Sequence, residues 1–322
     1  MTNALGARIA EYLLEIELPA RSTEQAFRAS HRMLPRVARI SILRPALIGA
    51  RMAERQLMRE ARILESMQHS GVPRVFECGV LDQRPWIATE IVDGSSIERE
   101  AARHPLAIGD AVAVLRDAAA ILAHAHARGV VHRNLTPRSI LRTRDRSFPV
   151  CITEWGDAAI PDASIPVVVD PDARFYRAPE LAQGSHGEGT TDPRADVFSL
   201  GAIMYEAVTL VLPDPPQKFP GVPLAFHRLL AEMLSHHVDE RPSAAEVLEA
   251  ATRLAEVLTD GGPIEEVEVE LVDISRSGPP AINSLGWIPP APAPAATPIR
   301  AATPIASLRR PAAGTMRRRK LP

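Results

Sequence analysis

The spacing of apolar positions changes part-way along the chain. Up to about residue 90 they fall in short alternating runs around one helical stretch. Val37-Ala-Arg-Ile-Ser-Ile-Leu43 and Arg84-Pro-Trp-Ile-Ala-Thr-Glu-Ile91 read as strands. Between them, Leu57, Ala61, Leu64 and Met67 recur at threes and fours, which predicts an amphipathic helix over 52–67. From 95 to 258 the helical spacing dominates, with helices expected over 111–127, 195–210, 224–234 and 243–258. The stretch 195–210 is apolar on nearly every face and so belongs deep in a core. Ser243 with Glu246 three residues on has the form of a capping box opening the last helix. A strand-rich small part followed by a helical large part is an α+β arrangement.

Near residue 276 the pattern stops. Ten of the last 47 residues are proline, and Ala-Ala-Thr-Pro-Ile occurs twice, at 295 and at 301. Such a segment buries too little apolar surface to offset the entropy of ordering it, so 276–322 is expected to be a disordered tail rich in proline and alanine. Just before it, Val267-Glu-Val-Glu-Leu271 alternates strictly. It fits an extra edge strand or an extended linker equally, and 261–275 is left open between the two.

Composition adds a split of charge. The 322 residues carry a formal net charge of −2, but 276–322 holds eight basic residues and no acidic one. The remainder has 29 basic against 39 acidic residues, a net of −10. An acidic body argues against specific nucleic-acid binding there; the basic end could attach electrostatically to acidic surfaces. The tail's Thr297, Thr303 and Thr315 lie near arginines, where a phosphate would change the local charge sign. No apolar run reaches the ~18 residues of a membrane span, and Glu206 interrupts the best candidate, 200–212. Glu11 and Glu15 make the N-terminal stretch unlike a secretory signal. Cys78 and Cys151 have no metal-ligand spacing and read as buried thiols of a reducing compartment, so a cytoplasmic location is expected. The His236-His237 pair with Asp239 lies within a loop that has another explanation below.

Several motifs then occur in a fixed order. They are Arg59-Glu60-Ala61, His69-Ser-Gly-Val-Pro73, His132-Arg-Asn-Leu-Thr-Pro-Arg-Ser-Ile-Leu141, Ile152-Thr-Glu-Trp-Gly156, Tyr176-Arg-Ala-Pro-Glu180, Asp196-Val-Phe-Ser-Leu-Gly201 and Asp239-Glu-Arg-Pro-Ser243. Together they resemble the eukaryotic-like Ser/Thr protein kinase family, because each sits in the context that its motif requires. The resemblance implies a two-lobed fold, with a small lobe over 1–92 and a large lobe over 93–260. It further implies that Asp196 accepts hydrogen bonds from the catalytic-loop backbone, that Glu180 pairs with Arg241, and that Leu64, Val75, Trp155 and His132 form an apolar column between the lobes. Gly156, Arg133 and Glu60 complete the matching structural positions.

The same comparison finds the chemistry altered. Phosphoryl transfer needs a glycine-rich cover, a phosphate-positioning lysine, metal ligands and a base. Residues 18–27 contain no glycine, and Glu24 there would repel phosphate. No lysine precedes Lys218; the strand position falls on Ile40 or Ser41, and Arg39 is a candidate partner for Glu60 unless Glu60 lies on an exposed face. Asn134, Thr136 and Ser139 replace the base, the loop lysine and the metal-binding asparagine, and Glu154 replaces the metal-binding aspartate. Ala173 stands where a threonine is usual, and 213–221 leaves little room for a substrate-docking helix.

The resemblance therefore implies a degenerate member, a pseudokinase acting as a regulatory or scaffolding protein-binding module in signalling, whose partner is an active kinase or its substrate. No cofactor is required on this reading. If ATP binds at all it does so weakly and without metal, against Ala38, Glu90 and Leu141, with Glu154 the one group left for a metal. The alternative is a weak or non-standard phosphotransferase using Glu154 with Asn134 or Ser139.

Overall fold

A computed structural model describes residues 5–144, 146–160, 173–182, 192–213 and 221–259. The alternating stretch 267–271, the tail with its three threonines and most of 213–221 lie outside them. All described residues belong to one compact unit, Met1–Glu270.

The small lobe begins with β1 (Arg8–Ile9), β2 (Tyr12–Leu18), β3 (Glu24–His31) and β4 (Val37–Leu43). Helix α1 (Arg51–Met67) follows, then β5 (Val75–Leu81) and β6 (Arg84–Glu90). The six strands form one antiparallel sheet in the order β1-β2-β3-β4-β6-β5. Strand alternation sorts their side chains into two layers. Phe27, Ala29, Ala38, Ile40, Ile42 and Trp86 fill a core on one face. Leu43 and Ile87 face the other way, onto Ala53, Leu57 and Ala61 of α1. The helix has no side-chain cap at Ala50; instead the Glu54 carboxylate accepts from the Gly49 N–H, 3.0 Å away. It ends at Gln68, which turns left-handed with φ 43°.

The large lobe continues with β7 (Gly94–Ser96), α2 (Ile97–Ala101), α3 (Ile108–His126), β8 (Ile140–Thr143) and β9 (Val150–Ile152), where β7, β8 and β9 form a small antiparallel sheet. Short α4 (Pro179–Ala182) precedes α5 (Arg194–Thr209), α6 (Leu224–Met233) and α7 (Ala244–Thr259). Helix α5 is buried from Ala195 to Ala207 along most of its length, as its mostly apolar sequence requires. Gly201 lets α6 approach: a Cβ there would lie 2.9 Å from Met233 Cβ. The capping box of α7 is formed, with Ser243 Oγ accepting from the Glu246 N–H at 3.3 Å and Glu246 accepting from the Ser243 N–H at 2.7 Å. One apolar core joins the lobes. It runs from Ile63, Leu64 and Met67 of α1 through α3 to α5 and α7.

One expectation fails at the lobe edge. Cys78 is exposed, because β5 is the outermost strand and has a neighbour on one side only. Cys151 is buried, and burial pushes its thiol up to about 12, where it stays protonated.

Where α1 ends, two imidazoles meet across the lobes. The His69 and His124 rings lie 4.8 Å apart, and Phe148 packs edge-on against His69. His124 Nε2 donates to Met67 O, and the Gly71 N–H donates to His69 Nδ1 at 2.9 Å. Burial, then the neighbouring His124 and Arg128, hold His69 below the ordinary imidazole range. The unfolded chain therefore takes up a proton here more readily than the folded one. Stability should be full above about pH 6.5 and fall as the pH drops below it, before the carboxylates titrate. Denaturant midpoints at pH 7.5 and 5.5 check this, and His69→Phe should shrink the difference.

Candidate functional site

The cleft between the lobes is built around a buried carboxylate. Asp196, in the first turn of α5, is wholly buried. It accepts from the backbone N–H of His132 and of Arg133, each at 2.7 Å, and faces His126 Nε2 at 2.9 Å. Burial alone would raise its pKa; the hydrogen bond and charge of His126 and the His132 contacts outweigh it and hold the carboxyl below the usual range. These bonds stabilise a strained turn, since Arg133 has φ 64°, in the left-handed region. The His132 ring then packs against Trp155 with centroids 4.6 Å apart, and His132 Nε2 donates to Thr153 O at 2.9 Å. Leu64 and Trp155 belong to the shared core, with Val75 packed against it.

Behind the cleft, Arg241 is completely buried and holds Glu180 with two bonds of 2.7 and 2.8 Å. Burial of Glu180 would raise its carboxyl, but the hydrogen bonds and charge of Arg241, with a backbone hydrogen bond, outweigh it and draw the carboxyl down. Tyr176 Oη donates to Glu206 at 2.6 Å, tying the same segment to α5.

The roof of the cleft carries a charge network that is absent from the motif list. Arg21, between β2 and β3, donates through Nη2 to the Glu60 carboxylate of α1. Its Nε lies 3.7 Å from Glu24, the first residue of β3, which is buried. Arg39 of β4 reaches the same Glu24 at 3.8 Å and donates to Pro19 O at 2.8 Å. Burial works against the Arg21 charge, but Glu60, Glu24 and Asp157 together raise its pKa. Burial raises the Glu24 carboxyl; Glu60 and Glu154 add to this while Arg21 and Arg39 oppose it. On the large-lobe side the guanidinium rests on Gly156, where a Cβ would fall 1.6 Å from Nη1.

Next to Gly156, Asp157 is buried and accepts from Gln56 Nε2 of α1 at 2.7 Å and from Asn134 Nδ2 at 3.0 Å. Its carbonyl accepts from the Arg133 guanidinium, with Nε at 2.9 Å. Arg59 and Arg177 are also buried nearby. The three guanidinium nitrogens of Arg59 have no hydrogen-bond partner among the described residues. The cleft itself, about 460 Å³, is lined by Leu18, Arg39, Thr89, Leu141 and Glu154 among others.

A family model, Protein kinase domain, matches residues 48–220, more than half of the chain. The chain belongs to the protein kinase domain family. Its curated relatives include serine/threonine-protein kinase pkn3 of Myxococcus xanthus, 28% identical over 271 residues, covering 74% of this chain and 49% of pkn3. Serine/threonine-protein kinase PknL of Mycobacterium tuberculosis is 26% identical over 274 residues, covering 81% of this chain and 66% of PknL. This chain thus spans between about half and two thirds of the length of these relatives. Among solved structures, the PknI kinase domain of Mycobacterium tuberculosis (C20A mutant) superposes with a TM-score of 0.60 at 25% identity, covering 79% of this chain and all of that one. Among the described residues no helix is long and apolar enough to cross a membrane.

Within this kinase fold the expected residues can now be placed. Asn134, Thr136, Glu154 and Leu141 all line the cleft. Ser139 does not: it is fully buried, its hydroxyl donating to Thr136 O at 2.9 Å and accepting from the Thr136 N–H at 3.1 Å. Glu154 lies on the cleft wall with φ 66°.

Two expectations are corrected. Glu60 pairs with Arg21 and not with Arg39, and it is buried rather than exposed; the loop guanidinium reaches α1 across the sheet, while Arg39 is spent on Glu24 and Pro19. Ala38 does not line the cleft. It and Ile40 face the opposite layer of the sheet, so strand alternation gives the cleft-facing positions to Arg39 and Ser41. Glu90 does line the cleft, with its side chain engaged by Arg74, at 3.3 Å, and by Arg146.

Arg21 and Asp157 were missed as site residues. The available signals were a lone arginine in a cover segment without glycine, and an acid directly after Trp155-Gly156 in one turn.

Two mutations test this layout. Asp196→Ala leaves two backbone N–H groups and His126 without their acceptor, and should cost about 3–5 kcal/mol in a urea titration. Arg59→Met removes an unpaired buried charge and should instead stabilise by about 1–2 kcal/mol.

Proposed function

We propose that this chain is a protein kinase fold that does not transfer phosphate and serves as a protein-binding regulatory module. The observation that carries the reading is the Arg21 guanidinium, seated on Gly156 and paired to Glu60 at the phosphate end of the cleft. A magnesium-bound triphosphate needs that space, and it needs groups that the neighbouring residues do not offer. The Ser139 hydroxyl is consumed inside its own loop. Asn134 spends its amide on Asp157, and an amide has no useful basicity near neutral pH. Ser41, at the cleft-facing strand position, is too short and uncharged to position a phosphate. The buried Glu24 adds negative charge where phosphates would sit. The residues present therefore do not fit a magnesium–nucleotide cofactor, and no catalytic step is derived through one.

What remains is a two-lobed body held together by buried ion pairs and hydrogen bonds. The partner on this reading is a protein, an active kinase or its substrate, bound by the lobe surfaces.

A thermal-shift titration of the purified full chain with ATP, with and without magnesium, tests the reading. Binding at a hundred times Kd would stabilise by about 2.7 kcal/mol, a rise of a few degrees. The expected result is no shift in either condition and no transfer of labelled phosphate to a generic protein substrate. A shift that requires magnesium would overturn the reading and favour phosphotransfer through Glu154.

A further inference from the structure

Kinase folds have to bring helix α1 against the turn at the base of the cleft, and here that junction is made by side chains of the chain itself. Arg21 touches three elements at once. It donates to Glu60 of α1, lies beside Glu24 of β3, and rests on Gly156 in the turn Trp155–Asp157 of the large lobe. Gln56, one turn before Glu60, donates to Asp157 in the same turn at 2.7 Å. Glu60 and Glu24 are both buried; Arg21 is the charge partner of Glu60 and shares Glu24 with Arg39.

We propose that Arg21 is a positioning residue which holds α1 and Glu60 against the large-lobe turn in place of a bound nucleotide, so that the lobes stay assembled without any ligand. The proposal deepens the reading above, because it says how the two lobes keep one arrangement, and so one surface for a partner, without a nucleotide. A guanidinium suits the task. It is always charged, and its planar fork can meet Glu60 and Glu24 together while its Nη end abuts Gly156. Gly156 is required by that contact, since any side chain there would occupy the guanidinium's position. Its backbone is not in the left-handed region, so alanine is tolerated by the main chain and would displace only the flexible end of Arg21.

Hydrogen–deuterium exchange on the full chain tests this, with α7 as the internal reference for global unfolding. In the wild type the amides of α1 should exchange slowly, at a rate unchanged by ATP with magnesium. Arg21→Ala should speed exchange in α1 by about tenfold or more while leaving α7 unchanged, since local opening is being measured. Arg21→Lys should restore much of the protection, because a cation still reaches Glu60. Gly156→Ala, made in the other lobe, should reproduce the Arg21→Ala pattern. Unchanged α1 exchange in both Arg21→Ala and Gly156→Ala would overturn the proposal, even if no nucleotide binds. Loss of protection in α7 together with α1 in both variants would also overturn it, as Arg21 would then be part of the general scaffold. Extra protection of α1 by ATP with magnesium in the wild type would overturn the reading of the cleft, whereas the two variants would still decide the role of Arg21.

Discussion

The buried carboxylate of Asp196 is the constraint on which the rest of the structure hangs. A charge with no solvent exposure is tolerable only when its acceptor sites are filled, and here two backbone N–H groups and an imidazole fill them. That requirement fixes the main chain at His132 and Arg133, including the left-handed turn at Arg133. With those two residues fixed, the His132 ring is held against Trp155, and the Arg133 guanidinium is aimed at the Asp157 carbonyl. The base of the cleft is thus specified from below by one side chain of α5. The small lobe is joined to it from above by Gln56 and Arg21, both of which end on the same short turn.

Much of the large lobe was legible because its determinants are local or periodic. The apolar spacing placed α3, α5, α6 and α7 within a few residues of their ends, and Ser243 with Glu246 marked the start of α7. Asp196, Glu180 and Arg241 could be recognised because each is polar inside an otherwise apolar or motif-bound segment. The small lobe was harder. Strands β2 and β3 mix apolar residues with Glu15, Glu17, Glu24 and Arg28, since one face of the sheet lines a polar cleft, and the alternation is correspondingly diluted. The one-residue ambiguity at the strand lysine had the same origin. In Val37-Ala-Arg-Ile-Ser-Ile-Leu43 both parities look apolar enough, and only packing of Ala38 and Ile40 against Phe27 and Trp86 decides which set faces in.

Arg21 was illegible for a different reason. Its partner Glu60 lies 39 residues away, and nothing in the local sequence of either residue says which arginine will cross the sheet. Arg39 was the natural candidate by strand position, yet register places it beside Glu24 and the Pro19 carbonyl. Long-range charge pairs are set by the folded geometry of several elements together, whereas a cap or an amphipathic face is set by a few neighbouring residues. For the same reason Asp157 did not stand out: its importance comes from Gln56 of α1 and from Arg133 and Asn134 of the catalytic loop, all distant from it in sequence.

Two of the replacements, Asn134 and Ser139, share a direction that follows from burial. A catalytic group must keep unsatisfied hydrogen-bonding capacity so that it can meet a substrate, and such capacity is costly in a buried site unless water or ligand fills it. Asn134 and Ser139 have both turned that capacity inward, onto Asp157 and onto their own loop. Arg21 does the same with charge, meeting Glu60 and Glu24 instead of leaving two carboxylates to face an open cleft. At these three positions the side chain is satisfied by partners within the fold, whereas the buried Thr136 hydroxyl has no partner among the described residues. The motif residues that carry the scaffold were already satisfied internally, so nothing in this exchange required them to change. A chain under that constraint keeps the kinase framework legible in its sequence while its cleft fills with contacts that no motif records.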